Sequence, residues 1–200
     1  MLRVKGLTRL GLGPFDFEVA DGECLAVTGP SGAGKSVLLR AIADLDVNGG
    51  RVFTGQMARE DVSGPEWRRA VALLPAESGW WGDLVAAHFG DVGVVAPMLP
   101  QVGLDPGALG WQVARLSTGE RHRLALLRAL EPGPEVLLLD EPTTMLDTAT
   151  TEQVEALLKT RMAAGLSIVM VTHDVDQPTR IAARVMRLAD GRLCDAGGGA

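Results

Sequence analysis

Cys24-Leu25-Ala26-Val27-Thr28-Gly29-Pro30-Ser31-Gly32-Ala33-Gly34-Lys35-Ser36-Val37-Leu38-Leu39 carries an apolar run of strand length into a glycine-rich turn and out into an apolar-periodic run of helix formers. That flanking context is what the pattern GxxxxGK[ST] needs to bind phosphate. Gly29, Gly32 and Gly34 let the backbone bend tightly and bring N–H groups close to an anion that a Cβ would keep away. Lys35 supplies a mobile point charge for the outer phosphates, and the Ser36 hydroxyl can ligate Mg²⁺. A helix expected from about Ser36 to Asp44 aims its positive end at the same anions. A ligand-free strand-to-helix turn could use similar glycines, but here every fixed position is filled and both flanks fit.

On either side of this cradle the pattern alternates between strands and helices. Leu2 to Gly6 and Phe15 to Val19 read as strands, the second with Phe15, Phe17 and Val19 on one face. Asn48-Gly49-Gly50 turns into a short strand from Arg51 to Thr54, which predicts an antiparallel layer beside a parallel core. Pro65 to Arg69 is helix-capable, Val71 to Pro75 is a strand, and Asp83 to Phe89 can start a helix. Gly90 to Gly110, rich in Gly and Pro, shows no assignable period. From Ser117, Leu124, Leu127 and Leu130 recur at helical spacing before Pro132-Gly133-Pro134 stops the helix. Val136 to Leu139 reads as a strand buried on both faces, Val154 to Ala164 as an amphipathic helix and Ser167 to Thr172 as a strand. Arg184 to Leu188 and Leu193 to Asp195 close the chain around the turn Asp190-Gly191.

The 200 residues suffice for one sizeable core with a subdomain attached. A net charge of −6 and a pI of about 5.1 argue against bare nucleic acid as the main partner, leaving only a local basic face as a route to it. No run approaches 18 apolar residues, and Met1 to Gly6 lack the layout of a secretion signal. A cytoplasmic chain is therefore expected unless a partner holds it at a membrane. Cys24 and Cys194, without CxxC spacing, predict free thiols and no zinc site. The tail Ala196 to Ala200 reads as frayed.

Val136 to Leu139 ends in Asp140-Glu141. Ligands of a parallel α/β sheet bind at the carboxyl ends of strands, so Asp140 would face the Mg²⁺ held by Ser36, and Glu141 would polarise a water for in-line attack. An ordinary acidic turn is the competing reading. Leu116-Ser117-Thr118-Gly119-Glu120 opens the Leu124 helix, where hydroxyl, free N–H groups and dipole suit an anion. Ser117 and Glu120 equally fit a plain S-x-x-E capping box.

Taken together, the chain resembles the ATP-binding subunit of an ABC transporter. Gly29, Pro30, Ser31, Gly32, Ala33, Gly34, Lys35 and Ser36, followed by Val37, match the Walker A loop, and Leu116 to Glu120 the LSGGQ-type signature. Val136 to Glu141 match Walker B with its glutamate, Thr144 to Asp147 the D-loop and Val171 to Asp174 the switch-histidine loop. The resemblance implies one α/β domain over residues 1–195: a P-loop NTPase with a mostly parallel core sheet, an N-terminal antiparallel β layer and a small helical subdomain at about 77–130. It also implies ATP and Mg²⁺ as ligands. Two cassettes would pair head to tail, so that ATP in one cradle is closed by Ser117, Gly119 and Glu120 of the other. His173 would contact the γ-phosphate, Asp147 would couple the sites, and Lys35, Glu141 and His173 would carry catalysis. A separate integral membrane subunit would hold the chain at the inner face of the membrane.

Four departures from the family pattern stand out. Ala76 occupies the place of the usual Gln after the Val71 strand, which leaves Glu77 or Ser78 to substitute through a shifted loop, or a slower, less tightly coupled site. The chain has no Tyr, and Leu7 to Leu12 offers the base only aliphatic side chains and Arg9, so loose base selectivity is expected. Thr118 replaces the middle signature Gly, Glu120 the Gln, and Met145 stands in the D-loop. The segment between Ala76 and Leu116 is short, which trims the surface for a membrane partner. Trp80 and Trp81 border that surface as candidate anchors, with inward packing of one of them the alternative. The short single cassette resembles the smallest exporter subunits. A soluble ABC ATPase of translation or DNA repair is the rival reading, although the paired cassettes or coiled-coil insertion common there are not seen. A small-molecule P-loop kinase would need an acceptor site instead of the signature.

Overall fold

The computed structural model describes residues 1–196; the rest of the tail lies outside the described residues. In chain order the strands are β1 (Leu2–Arg9), β2 (Leu12–Val19), β3 (Cys24–Thr28), β4 (Gly49–Thr54), β5 (Met57–Ala58), β6 (Val71–Leu74), β7 (Val136–Asp140), β8 (Ser167–Val171), β9 (Arg184–Ala189) and β10 (Arg192–Asp195). The helices are α1 (Lys35–Ile42), α2 (Gly64–Ala70), α3 (Val92–Val95), α4 (Thr118–Leu130), α5 (Thr148–Ala163) and α6 (Gln177–Arg180). β2-β1-β4-β5 form an antiparallel sheet. The second sheet has the order β10-β9-β3-β8-β7-β6 and is parallel except for β10. The expected antiparallel layer beside a parallel core is present.

Period-two alternation in the parallel strands splits the core between the two sheet faces. Leu25, Val27, Val136, Leu138, Val169 and Val171 face α1 and the antiparallel layer, where Phe15, Leu38, Leu39 and Trp67 are buried with them. Cys24, Ala26, Leu137, Leu139, Ile168 and Met170 face the other way, onto α4, α5 and the segment between β6 and α4. Fully burying a side chain of Leu size stabilises by about 1.5–3 kcal/mol, which fits the unbroken apolar interiors of the central strands β3, β7 and β8. The Trp67 indole donates to the Ile42 carbonyl at 2.9 Å, tying α2 to the end of α1.

Three expectations are revised. β1 runs on to Arg9 and meets β2 through Leu10 and Gly11, both at positive φ (51° and 78°), the signature of a tight hairpin turn. The helix expected from Asp83 is a single 3₁₀ turn, Val85–His88; Gly90 to Gly110 folds into α3 and further 3₁₀ turns that bury Met98, Leu99, Val102 and Leu104. Helix α5 starts at Thr148, six residues before the amphipathic pattern, because Asp147 caps it: its carboxylate accepts from the Thr150 N–H at 2.9 Å. The cap offsets the weak helix propensity of the Thr-rich first turn.

Candidate functional site

β3 enters the glycine turn at the carboxyl edge of the parallel sheet, beside β8 and β9. Gly29, Gly32 and Gly34 have φ of 144°, 76° and 97°, all in the region that favours glycine. A Cβ on Gly29 would lie 2.2 Å from the Leu188 carbonyl oxygen, and one on Gly34 2.3 Å from a Leu12 methyl. Gly34 precedes α1 without a side-chain cap, leaving the first-turn N–H groups free to meet an anion. The buried Lys35 curls over the loop and donates from Nζ to the carbonyls of Gly29 and Pro30, both at 2.9 Å.

The end of β7 faces this loop. A cleft of about 270 Å³ is lined by Ser31, Gly32, Gly34, Lys35, Ser36 and Val37 on one side and by Asp140, Glu141, Val171 and His173 on the other. Asp140 is buried and Ser36 exposed at the cleft. Among the described residues no group of three or more His, Cys, Asp and Glu could hold a metal. One hydroxyl and one carboxylate at the same cleft fit Mg²⁺, which keeps most of its shell as water and phosphate oxygen.

Glu141 is held in a left-handed backbone conformation (φ 54°), costing roughly 1–2 kcal/mol for a non-glycine residue. Its N–H donates to the Val171 carbonyl at 2.9 Å. Its carboxylate lies 3.2 Å from His173 Nε2 and accepts from the Thr144 hydroxyl at 2.8 Å. Glu141 and His173, 32 positions apart in the chain, therefore meet across the cleft.

The signature residues stand elsewhere. Ser117 and Glu120 form a complete capping box on α4: Ser117 Oγ accepts from the Glu120 N–H at 3.2 Å, and Glu120 Oε2 accepts from the Ser117 N–H at 2.8 Å. The Ser117 N–H bond holds the Glu120 carboxyl below its usual range. Ser117 is exposed, and none of Leu116 to Glu120 lines the cleft. Gly119 sits against the D-loop: a Cβ there would be 3.3 Å from the Met145 carbonyl oxygen. Asp147, exposed, is committed to capping α5, and its bonds from Thr150 lower its pKa.

None of Ala76, Glu77 and Ser78 lines the cleft. Ser78 instead borders a separate groove of about 330 Å³ with Arg40, Arg68, Leu73, Pro75 and Arg128, its hydroxyl buried without a partner. Trp80 packs against the core while Trp81 is 73% exposed. The Arg128 guanidinium lies 4.9 and 5.0 Å from the two indole rings. Between them the buried His88 accepts the Trp81 and Gly82 N–H groups on Nε2 (2.9 and 3.0 Å), which assigns its proton to Nδ1, facing the Leu84 carbonyl.

The sequence reading missed Leu12, which packs on Gly34, the Thr144 hydroxyl on Glu141, and the contacts of Asp174. No spacing marks Leu12; Thr144, three positions after Glu141, carried the only local signal.

Fold and site define a P-loop nucleotide-binding cassette. The family described as ABC transporter matches residues 12–144, more than half of the chain. The Fe(3+) ions import ATP-binding protein FbpC of Streptomyces avermitilis is 36% identical over 204 residues, covering 94% of this chain and 58% of that protein. The aliphatic sulfonates import ATP-binding protein SsuB 3 of Nocardia farcinica is 37% identical, covering 97% of this chain and 79% of that protein. In fold, a solved dimeric ATP-binding cassette bound to ADP and Pi superposes with a TM-score of 0.80 at 24% identity, covering both chains fully. The chain belongs to the ABC transporter family. It spans 58% of the length of the Streptomyces relative.

Proposed function

We propose that the chain is the ATP-hydrolysing subunit of an ABC transporter: two copies pair head to tail around ATP and energise a separate membrane subunit. One observation carries this reading. The cleft has a complete phosphate cradle and a paired Glu141–His173, yet the signature serine faces solvent on a helix tip that contributes nothing to it. A second copy supplies the missing wall. The import systems named for the relatives support the transport reading over translation or DNA repair, and the fold neighbour was solved as a dimer.

In this reading residues 1–195 form one ATPase domain, with about 77–130 its helical subdomain. The glycine-turn N–H groups and Lys35 bind the phosphates, and the partner's signature N–H groups and serine hydroxyl meet the developing charge. Ser36 and Asp140 hold Mg²⁺, which when bound neutralises phosphate charge. Glu141 orients and deprotonates water, while His173, hydrogen-bonded to it, reaches the γ-phosphate. Ser117, Gly119 and Glu120 close the partner's site, and Asp147 fixes the start of α5 at the dimer seam. No helix among the described residues is long and apolar enough to cross a membrane, and this reading assigns the span to a separate subunit. Trp81 and the Arg128 groove form the docking face, placing the chain at the inner membrane surface.

Purified chain should hydrolyse ATP and lose this activity on Lys35→Ala. Glu141→Gln should bind ATP without turnover and, isolated from membranes, bring down an integral membrane protein that Trp81→Ala loses. Parental turnover by Lys35→Ala refutes the site, and an unchanged yield with Trp81→Ala refutes the docking face.

A further inference from the structure

Resting on the ATPase reading, we propose that Arg180 is a positioning residue for His173, holding the switch loop through Asp174 against a buried carboxylate of α5. His173 follows the buried strand β8 and the buried Thr172, but its own side chain is half exposed. What fixes it lies just beyond. The Asp174 N–H donates to Thr172 Oγ1 at 3.0 Å, and Asp174 Oδ1 accepts the N–H groups of Asp176 and Gln177. Its other oxygen, Oδ2, takes a 2.6 Å bond from Arg180 Nη2. The same guanidinium is clamped by Glu155: Nη2 reaches Oε1 at 2.8 Å and Nε reaches Oε2 at 3.0 Å.

Glu155 is the unexpected member. It is 3% exposed, in the middle of a helix face otherwise packed with Val154, Leu157 and Leu158. Removing a carboxylate from water is costly, and an apolar residue of similar size commonly serves stability as well or better. A carboxylate buried against a partly exposed guanidinium is therefore poorly explained by stability and well explained by the need to hold one geometry. Gln177, fully buried, extends the frame: its Nε2 donates to Glu155 Oε1 at 3.3 Å and to Thr143 Oγ1 at 3.0 Å, two residues beyond Glu141. One cluster thus sets both the loop that carries His173 and the loop that follows Glu141, with α5, capped by Asp147, as its base. A displacement of about 1 Å in a catalytic group costs up to about a hundredfold in rate, so a small slackening of this frame registers in turnover.

Asp174→Asn is the cleanest perturbation. The retained carbonyl can still accept from Asp176 and Gln177, while the amide nitrogen cannot accept from Arg180. Single-turnover and steady-state hydrolysis by the full chain should show kcat lowered about tenfold with the KM for ATP unchanged. In a His173→Ala background the same substitution should cause no further loss, because the effect passes through His173. The double variant Glu155→Met/Arg180→Met avoids a stranded charge and should reproduce the kcat loss with a melting temperature at or above the parent's. Equal fold losses with and without His173, an unchanged kcat, or a raised KM at constant kcat overturns the proposal. An unmodified chain that hydrolyses no ATP refutes the ATPase reading itself, and this assignment with it.

Discussion

Ser117 caps α4 and, in the proposed dimer, also meets a phosphate, and a pair of substitutions separates the two roles. Within one chain its hydroxyl caps α4, accepting from the Glu120 N–H and donating to Glu120 Oε2 at 2.8 Å. Replacing a serine cap by Ala costs about 1 kcal/mol, whereas Gly costs only a few tenths. For a chain of this size, about 1 kcal/mol is a fall of roughly 2–4 °C in melting temperature. Ser117→Ala should therefore melt detectably below the parent and Ser117→Gly close to it. Across the proposed dimer the hydroxyl turns its one proton from Glu120 to a phosphate, and because one bond to a charged group replaces another the net gain is about 0.5–1.5 kcal/mol. Two such sites make roughly 1–3 kcal/mol per dimer, about fivefold to a hundredfold in the dimer dissociation constant. The assay is light scattering after size exclusion at micromolar protein with ATP, in the non-hydrolysing Glu141→Gln background. Both variants should need higher protein concentration than the parent to dimerise. A Ser117→Gly protein that dimerises like its parent would reduce Ser117 to a cap and refute the reasoning.

Two further outcomes follow from burial. Cys24 is fully buried in β3 and its thiol is pushed up to about 12, chiefly by loss of solvent, while Cys194 is exposed. At pH 8 a thiol reagent should therefore titrate one cysteine in native protein and two in denaturant; two in native protein would contradict the core assignment. Ser78→Ala should leave ATPase activity and its Mg²⁺ dependence unchanged and stability equal or slightly higher, since the removed hydroxyl is buried without a partner. Glu77→Ala should also leave turnover unchanged, and a Mg²⁺-dependent loss in either variant would show that one of them does stand in for the absent Gln.

Much of the site was legible in the chain because its parts are local. A glycine-rich turn, a strand ending in two carboxylates and an S-x-x-E helix start each state their chemistry within a few residues, through backbone conformation and side-chain type. Legibility failed where a role depends on what lies opposite. Gly90 to Gly110 shows no period because its apolar residues cover α4 and α5 from irregular turns, so no single repeat governs them. The start of α5 was hidden because a run of threonines resembles a loop until Asp147 is seen to cap it. Glu77 and Ser78, adjacent to the vacant Gln position, could not be separated from the cleft by sequence, since only the path of the chain after β6 turns Ser78 into a separate groove.

The order of residues alone determined the phosphate cradle, the strand that feeds it, the acidic end of β7 and the two-layer α/β plan. Each follows from side-chain periodicity and the conformational freedom of glycine. Only the folded chain decided that Glu141 meets His173, that Ser117 turns away from its own cleft, and that a buried Glu155 anchors Arg180 and, through it, Asp174. Those relations join segments far apart in sequence, and only the register of β7 beside β8 and the packing of α5 on the sheet bring their charges within hydrogen-bonding distance.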